Sequence, residues 1–344
     1  MGFGPQEKKL HPYQLSPSCK QAVCIRHGWG HVFVSALICS VCAGSPPSSG
    51  GDSGVHVLDH SLGYTAYALR VDNLAGIKRG TGSKNVISIR TDASYGSGHW
   101  YEGGGLRWDV NLVRYNTTHI VRHGAFVTPQ VQTPAQTGIP ALLEIVTEPT
   151  DGAPPRTVRS LDGLSAVFEG AGLGSCTARA DASQAGTGDV VPLRCTLKPT
   201  APLSLWSVRT PTLYTITITL FDGADAVDTQ TLTTGFRNAQ FSSATGVSLN
   251  GEGFKYRGFS HHDSFAGVGT AMPPRFDLFR AQASRAVGSN VWRMSHNPYH
   301  PPLYDILDAI GTALSGSIST VLTVLHSICV GIHSRRALPS PVCA

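Results

Sequence analysis

Residues 258–311 repeat one grammar twice. A short apolar segment ends in a polar loop, a proline pair opens a helix, and a glycine closes it. The stretch "GFSHHD" leads to "PPRFDLFRAQASRAVG", and "NVWRMSH" leads to "PPLYDILDAIG". Proline suits the first helical turn, whose N–H groups have no partner, and glycine suits the residue just past the last turn. In the second helix Leu303, Ile306, Leu307 and Ile310 follow i, i+3, i+4, i+7, which is one apolar stripe. Two strand–helix units in a row predict parallel strands with helices packed on them.

Upstream the period changes to two. In "LRWDVNLVRY" Leu106, Trp108, Val110 and Leu112 alternate with polar partners, and "YTAYALRV" and "NVISIRT" are two more short strands. In "LYTITITLFD" Tyr214, Ile216, Ile218 and Leu220 face one way and the threonines the other, with Trp206 just ahead as a core plug. The 38 glycines and 22 prolines supply turns between many short strands. The pattern predicts a partial β-sandwich over 55–128, an immunoglobulin-like sandwich over 129–240, and two β-α units over 247–311. It predicts an irregular segment over 1–54, with "AGSPPSSGGDSG" as a linker, and an unrelated tail over 312–344.

Composition excludes several classes. A hydrophobic fraction of 41% with 14% charge is globular rather than disordered. The net charge of +5 comes from arginines spread along the chain, with no basic stripe interleaved with aromatics, so nucleic acid is not an expected partner. Residues 312–332 hold no Asp, Glu, Lys or Arg, yet their Ser, Thr and Gly content and unordered β-branched residues argue against a membrane helix. The run 31–45 has a signal-like apolar core, but about thirty residues precede it, which is long for a leader. Cys39 and Cys42 have C-x-x-C spacing without a second pair at zinc spacing, so no metal site is expected. Cys176 and Cys195 are placed either to bridge neighbouring strands or to remain reduced. Asn116-Thr117-Thr118 is a glycosylation sequon of a kind common by chance.

Chemistry concentrates where the two parallel strands end. His261 and His262 follow the first, and His296 follows the second, with Arg293 near that strand's end. In a (β/α)8 barrel those positions lie on the C-terminal face, where active sites are built. A single loop histidine is most often structural; two successive strand ends with histidine, plus an arginine fork suited to a carboxylate, are a stronger signal.

These residues carry a resemblance. "GFKYRGFSHHD" and "NVWRMSHNPYHPPLYDILDAIG" resemble the opening of the catalytic barrel of glycoside hydrolase family 2, which holds β-galactosidases, β-glucuronidases and β-mannosidases. The matching positions are Arg257, Gly258, His262 and Asp263, then Asn290, Arg293, Ser295, His296 and Pro298, then Asp308 and Gly311; Ser260 stands where the family usually has Asn. Upstream, "HSLGYTAYALRVDN", "NVISIRTD" and "WYEGGGLRWDVNL" resemble the second half of the family's sugar-binding sandwich, with its first half expected to be missing, and "LWSVRTPTLYTITITL" and "TGFRNAQF" resemble its immunoglobulin-like domain. The family's Tyr-Arg pair in the "GGGLRWDV" turn is here Arg107-Trp108, which leaves the contacts of that arginine open.

The resemblance implies a retaining β-glycosidase acting on a β-glycoside carbohydrate without a cofactor. It implies that Arg293 orients the nucleophile, that His262, Asp263 and His296 line the sugar site, and that Asp92 reaches the sugar from a sandwich loop. Which sugar is bound is left to absent loops, galactoside being the family's frequent choice, and oligomeric state has no signal. Retaining hydrolysis needs two carboxyl groups about 5–5.5 Å apart. The family places both on glutamates of later strands, but the last glutamate here is Glu252, and the only carboxylates after it are Asp263, Asp277, Asp305 and Asp308. Asp277, Asp305 and Asp308 fall on helices, where solvent or dipole roles are the default. The expectation is a chain truncated within the barrel and inactive alone. The competing expectations are a non-catalytic carbohydrate-binding or scaffold protein, and a form anchored by its tail.

Overall fold

The computed structural model describes residues 6–9, 12–13, 21–26, 31–34, 36–37, 39–44, 55–60, 66–71, 84–91, 105–147, 161, 163–181, 190–295 and 298–317. It is mainly β: two sandwiches in series, a short three-stranded meander, and three parallel strands with two helices.

The first sandwich corrects the reading of 1–54 as irregular. Gln21–Arg26 and Cys39–Gly44 flank Lys84–Thr91, and Val55–His60 closes one edge of that sheet. In the second sheet Asn111–Arg114 pairs with Gln6–Lys9 and with His31–Val34, and Tyr67–Arg70 lies beyond. The described residues of the signal-like run are strand, and Cys39–Gly44 is paired on both sides within its sheet. The core between the sheets holds Tyr67, Leu69, Ile87, Ile89 and Val110. The early strands are short, and several of their partners lie far along the chain, so local periodicity gives little sign of them.

The second sandwich keeps the alternation of its sequence pattern but begins before residue 129: its first strand, Thr118–Val127, lies within the stretch assigned to the first sandwich and pairs with Ile139–Thr147. One sheet runs Thr118–Val127, Ile139–Thr147, Val190–Leu197; the other runs Gly174–Arg179, Leu164–Gly170, Tyr214–Asp222, Asp225–Thr234. Ile216, Ile218 and Leu220 are fully buried against Phe168, Leu143 and Leu193, as a period of two requires. A disulfide joins Cys176 to Cys195, one from each sheet, with 6.0 Å between their Cα atoms.

Trp206 is fully buried, but not in that core. It packs with Leu249, Val291 and Ala313 beneath the parallel sheet, and its indole N–H donates to the Asp308 carbonyl at 2.9 Å. It plugs the junction between sandwich and sheet.

The parallel sheet runs Gly258–His262, Val291–Ser295, Ala313–Ser317. The helices are α1 (Pro274–Ala286) and α2 (Pro301–Ile310), both with proline in the first turn. Gly311 caps α2 in the left-handed conformation, and a Cβ there would lie 2.5 Å from the Val208 carbonyl oxygen. Gly258 is more constrained still: an added Cβ would meet the Val291 carbonyl oxygen at 1.9 Å. The third strand corrects the expectation of an unrelated tail from 312. Its "ALSGS" is too short and small to read as a strand alone; pairing with Val291–Ser295 and burial of Ala313 define it. No helix among the described residues is long and apolar enough to cross a membrane.

Candidate functional site at the ends of the parallel strands

Strand alternation sorts the strand-end residues into two sets. The register aligns Ser260 with Arg293 and Ser315, and His262 with Ser295. This row faces away from the helices. Phe259, His261, Trp292, Met294 and Leu314 alternate onto the other side, where Trp292 and Met294 pack against Leu303 and Leu307 of α2 and Ala281 of α1.

The histidine doublet is thus split. His261 lies flat on the Trp292 ring, with centroids 3.4 Å apart. Burial, with the Arg280 charge nearby, lowers its pKa to about 4, so it is neutral and structural at pH 7. His262 takes the opposite face, beside Arg293 and Ser295. Arg293 donates to Ser295 Oγ at 2.8 Å and to Ser260 Oγ at 3.0 Å. These bonds fix the guanidinium while leaving it partly exposed. Asp92 and His296 lie outside the described residues.

Asp263 is buried at the top of the first strand and pairs with Arg107, a residue of the first sandwich. Burial pushes its carboxyl up from the ordinary value; Arg107 pulls the other way, both through its charge and its hydrogen bond, without cancelling that push. Arg107 also donates to the Pro298 carbonyl at 3.1 Å. The departure from the family's Tyr-Arg order therefore leaves an arginine that reaches the mouth. The continuous strand expected across 106–115 is broken to do so. Pairing stops after Leu106 and resumes at Asn111, and Arg107, a polar position in the pattern, is the buried one.

Sequence reasoning also missed Asp277 and His300. Asp277 sits in the first turn of α1 but is fully buried, not solvated. His300 Nδ1 lies 3.7 Å from its carboxylate, within ion-pair reach and too far for a hydrogen bond. Trp108 stacks on His300 with centroids 5.9 Å apart. Asp308 is also buried, at the far end of α2. The phenols of Tyr299 and Tyr304 are both driven up by burial, and Tyr299 donates to the His261 carbonyl. Among the described residues no cluster of three or more His, Cys, Asp or Glu side chains could hold a metal.

Two sandwiches feeding a parallel sheet, with a sandwich loop reaching the strand ends, define a modular protein built around the opening of a β/α barrel. Residues 169–237 match the model for glycosyl hydrolases family 2, and residues 243–321 match the model for that family's TIM barrel domain. Together these matches support a fragment of a family 2 glycosyl hydrolase across the two stretches. It is 29% identical over 272 residues to a putative beta-glucuronidase of Formosa agariphila, covering 78% of this chain and 24% of that protein. It is 27% identical over 228 residues to the beta-galactosidase BoGH2A of Bacteroides ovatus, covering 66% and 26% respectively. Among solved structures, a family 2 glycosyl hydrolase from Bacteroides cellulosilyticus superposes with a TM-score of 0.69 at 21% identity, covering 87% of this chain and 40% of that one. A beta-galacturonidase from Eisenbergiella tayi, solved with galacturonate, gives a TM-score of 0.65 at 20% identity, covering 88% and 50%. At these identities the structures speak for the fold. The chain spans about a quarter of the length of these curated relatives.

Proposed function

We propose that the chain belongs to a retaining β-glycosidase of the galactosidase or glucuronidase kind, and that residues 1–344 alone bind a β-glycoside without hydrolysing it. The observation that carries this reading is the row of Ser260, His262, Arg293 and Ser295 on the helix-free face of a family 2 barrel sheet. Hydroxyls, an imidazole and a fixed guanidinium together suit sugar hydroxyls or a uronate carboxylate. His296 and Asp92 join this row in the proposal, as the resemblance implies. In a barrel completed by further chain, Arg293 would orient a nucleophilic carboxylate.

Hydrolysis by this stretch lacks its two acids. Asp263 is committed to Arg107, Asp277 faces His300 in the interior, and Asp305 and Asp308 belong to α2. None joins the Arg293 row as a facing pair.

The pure chain tests both halves. Incubation with 4-nitrophenyl β-galactoside and β-glucuronide is expected to release no nitrophenol above buffer; inhibitor-sensitive release would overturn the inactive half. Saturation-transfer NMR with galactose and glucuronate is expected to show contact with one of them, lost in His262→Ala and Arg293→Ala. Contact with neither would overturn the binding half.

A further inference from the structure

We propose that Arg107 is a positioning residue: a latch by which the first sandwich sets the relative placement of the two loops that frame the barrel mouth.

The guanidinium has two separate targets. One terminal nitrogen pairs with Asp263, directly after the first parallel strand; the other donates to the carbonyl of Pro298, three residues past the end of the second. These targets belong to different loops, and the arginine comes from a third element 156 residues before Asp263. Both charged side chains are almost wholly buried, at 1% and 5% exposure. A buried ion pair is a weak source of net stability, because desolvation offsets much of its attraction. Its effect is geometric: a planar fork fixes both acceptors at once.

The neighbouring residue reinforces the docking. The Arg107 guanidinium lies over the Trp108 ring, 3.9 Å from its centroid, and His300 stacks on the same ring. His300 precedes α2, and the Asp277 carboxylate of α1 faces it. Two adjacent sandwich residues thus contact the first loop, the second loop and the start of α2. The strand interrupted between Leu106 and Asn111 is what frees them to do so.

A lysine at 107 would keep the charge but present one compact ammonium in place of a fork. It would serve Asp263 and release Pro298. Asparagine at 263 keeps the shape, removes the anion, and should loosen Pro298, whose carbonyl is held by Arg107. A residue that merely fills space would not transmit that effect.

Hydrogen exchange of the full chain, read by mass spectrometry, tests the latch. The reporters are peptides holding the Tyr299 amide, which donates to the Tyr304 hydroxyl, with Ile216–Leu220 as the internal control. Asp263→Asn and Arg107→Ala are each expected to speed Tyr299 exchange, by about a hundredfold for the alanine variant, with the control unchanged. Arg107→Lys is expected to protect the 259–264 peptides and not those from 298. Unchanged Tyr299 exchange in Asp263→Asn would overturn the latch, as would faster exchange spread evenly over the control in every variant. That the framed loops serve a sugar rests on the preceding reading. The exchange rates are measured without sugar, so failure of that reading would leave this result intact.

Discussion

His261 and Trp292 lie face to face, their ring planes within 7° of parallel. The stack turns His261 toward the helices and leaves His262 on the other face. The same contact governs how the fold meets acid. The folded-state pKa of His261 is lowered from 6.5 to about 4, so between these values the unfolded chain binds a proton that the folded chain refuses. Its contribution to stability is present above about pH 6.5 and is lost as pH falls toward 4. Asp263 acts in the opposite sense: its raised pKa favours the folded state at low pH, and that contribution is lost as pH rises through its folded value. Urea melts at pH 7 and pH 4.5 are expected to show a smaller acid loss in His261→Phe than in the parent. An equal loss would show that His261 does not drive it.

Trp206 binds sandwich to barrel through one bond and a large apolar surface. Trp206→Phe removes the donor to the Asp308 carbonyl and is expected to cost about 1–2 kcal/mol. Trp206→Ala also empties the space shared with Leu249, Val291 and Ala313, and should cost about 3–5 kcal/mol. Denaturant midpoints measure both. A phenylalanine variant as damaged as the alanine variant would mean that the hydrogen bond, not the packing, dominates.

Gly311 has φ of 74° and faces the Val208 carbonyl. Gly311→Ala is expected to destabilise the chain by at least about 1–3 kcal/mol, since conformational strain and contact act together. Gly223, also at positive φ, has nothing within 4 Å of an added Cβ and serves as the control for strain alone. A smaller loss at 311 than at 223 would remove the contact from the account.

The bridge between Cys176 and Cys195 spans 19 residues and crosses between the sheets. Replacing both by alanine is expected to lower stability by about 3 kcal/mol, read as a lower melting temperature. A peptide map without reductant should show the two cysteines in one linked species. Finding both alkylated would mean that the bridge is not formed in the purified protein.

Legibility in the sequence followed the range of the contacts. Helices α1 and α2 announce themselves because proline, stripe and glycine all lie within one short stretch. Tyr214–Asp222 does so because its threonines and isoleucines alternate without a break. The strands before residue 45 do not, because their partners are as far away as Asn111–Arg114. Ala313–Ser317 is hidden for another reason: small residues form a strand there only because a paired neighbour supplies the ladder. At the mouth, His262 and Arg293 were readable from their place after strands. Arg107 was visible only as a departure from a pattern, since nothing near it in sequence indicates Asp263. Asp277 looked like an ordinary first-turn acid, and only packing against His300 shows otherwise.

Gly258 leaves no room for even a methyl group against the Val291 carbonyl. Drift at that codon is therefore a folding lesion whether or not any sugar is cleaved. The first two parallel strands approach so closely there that glycine at 258 is a requirement of the fold itself.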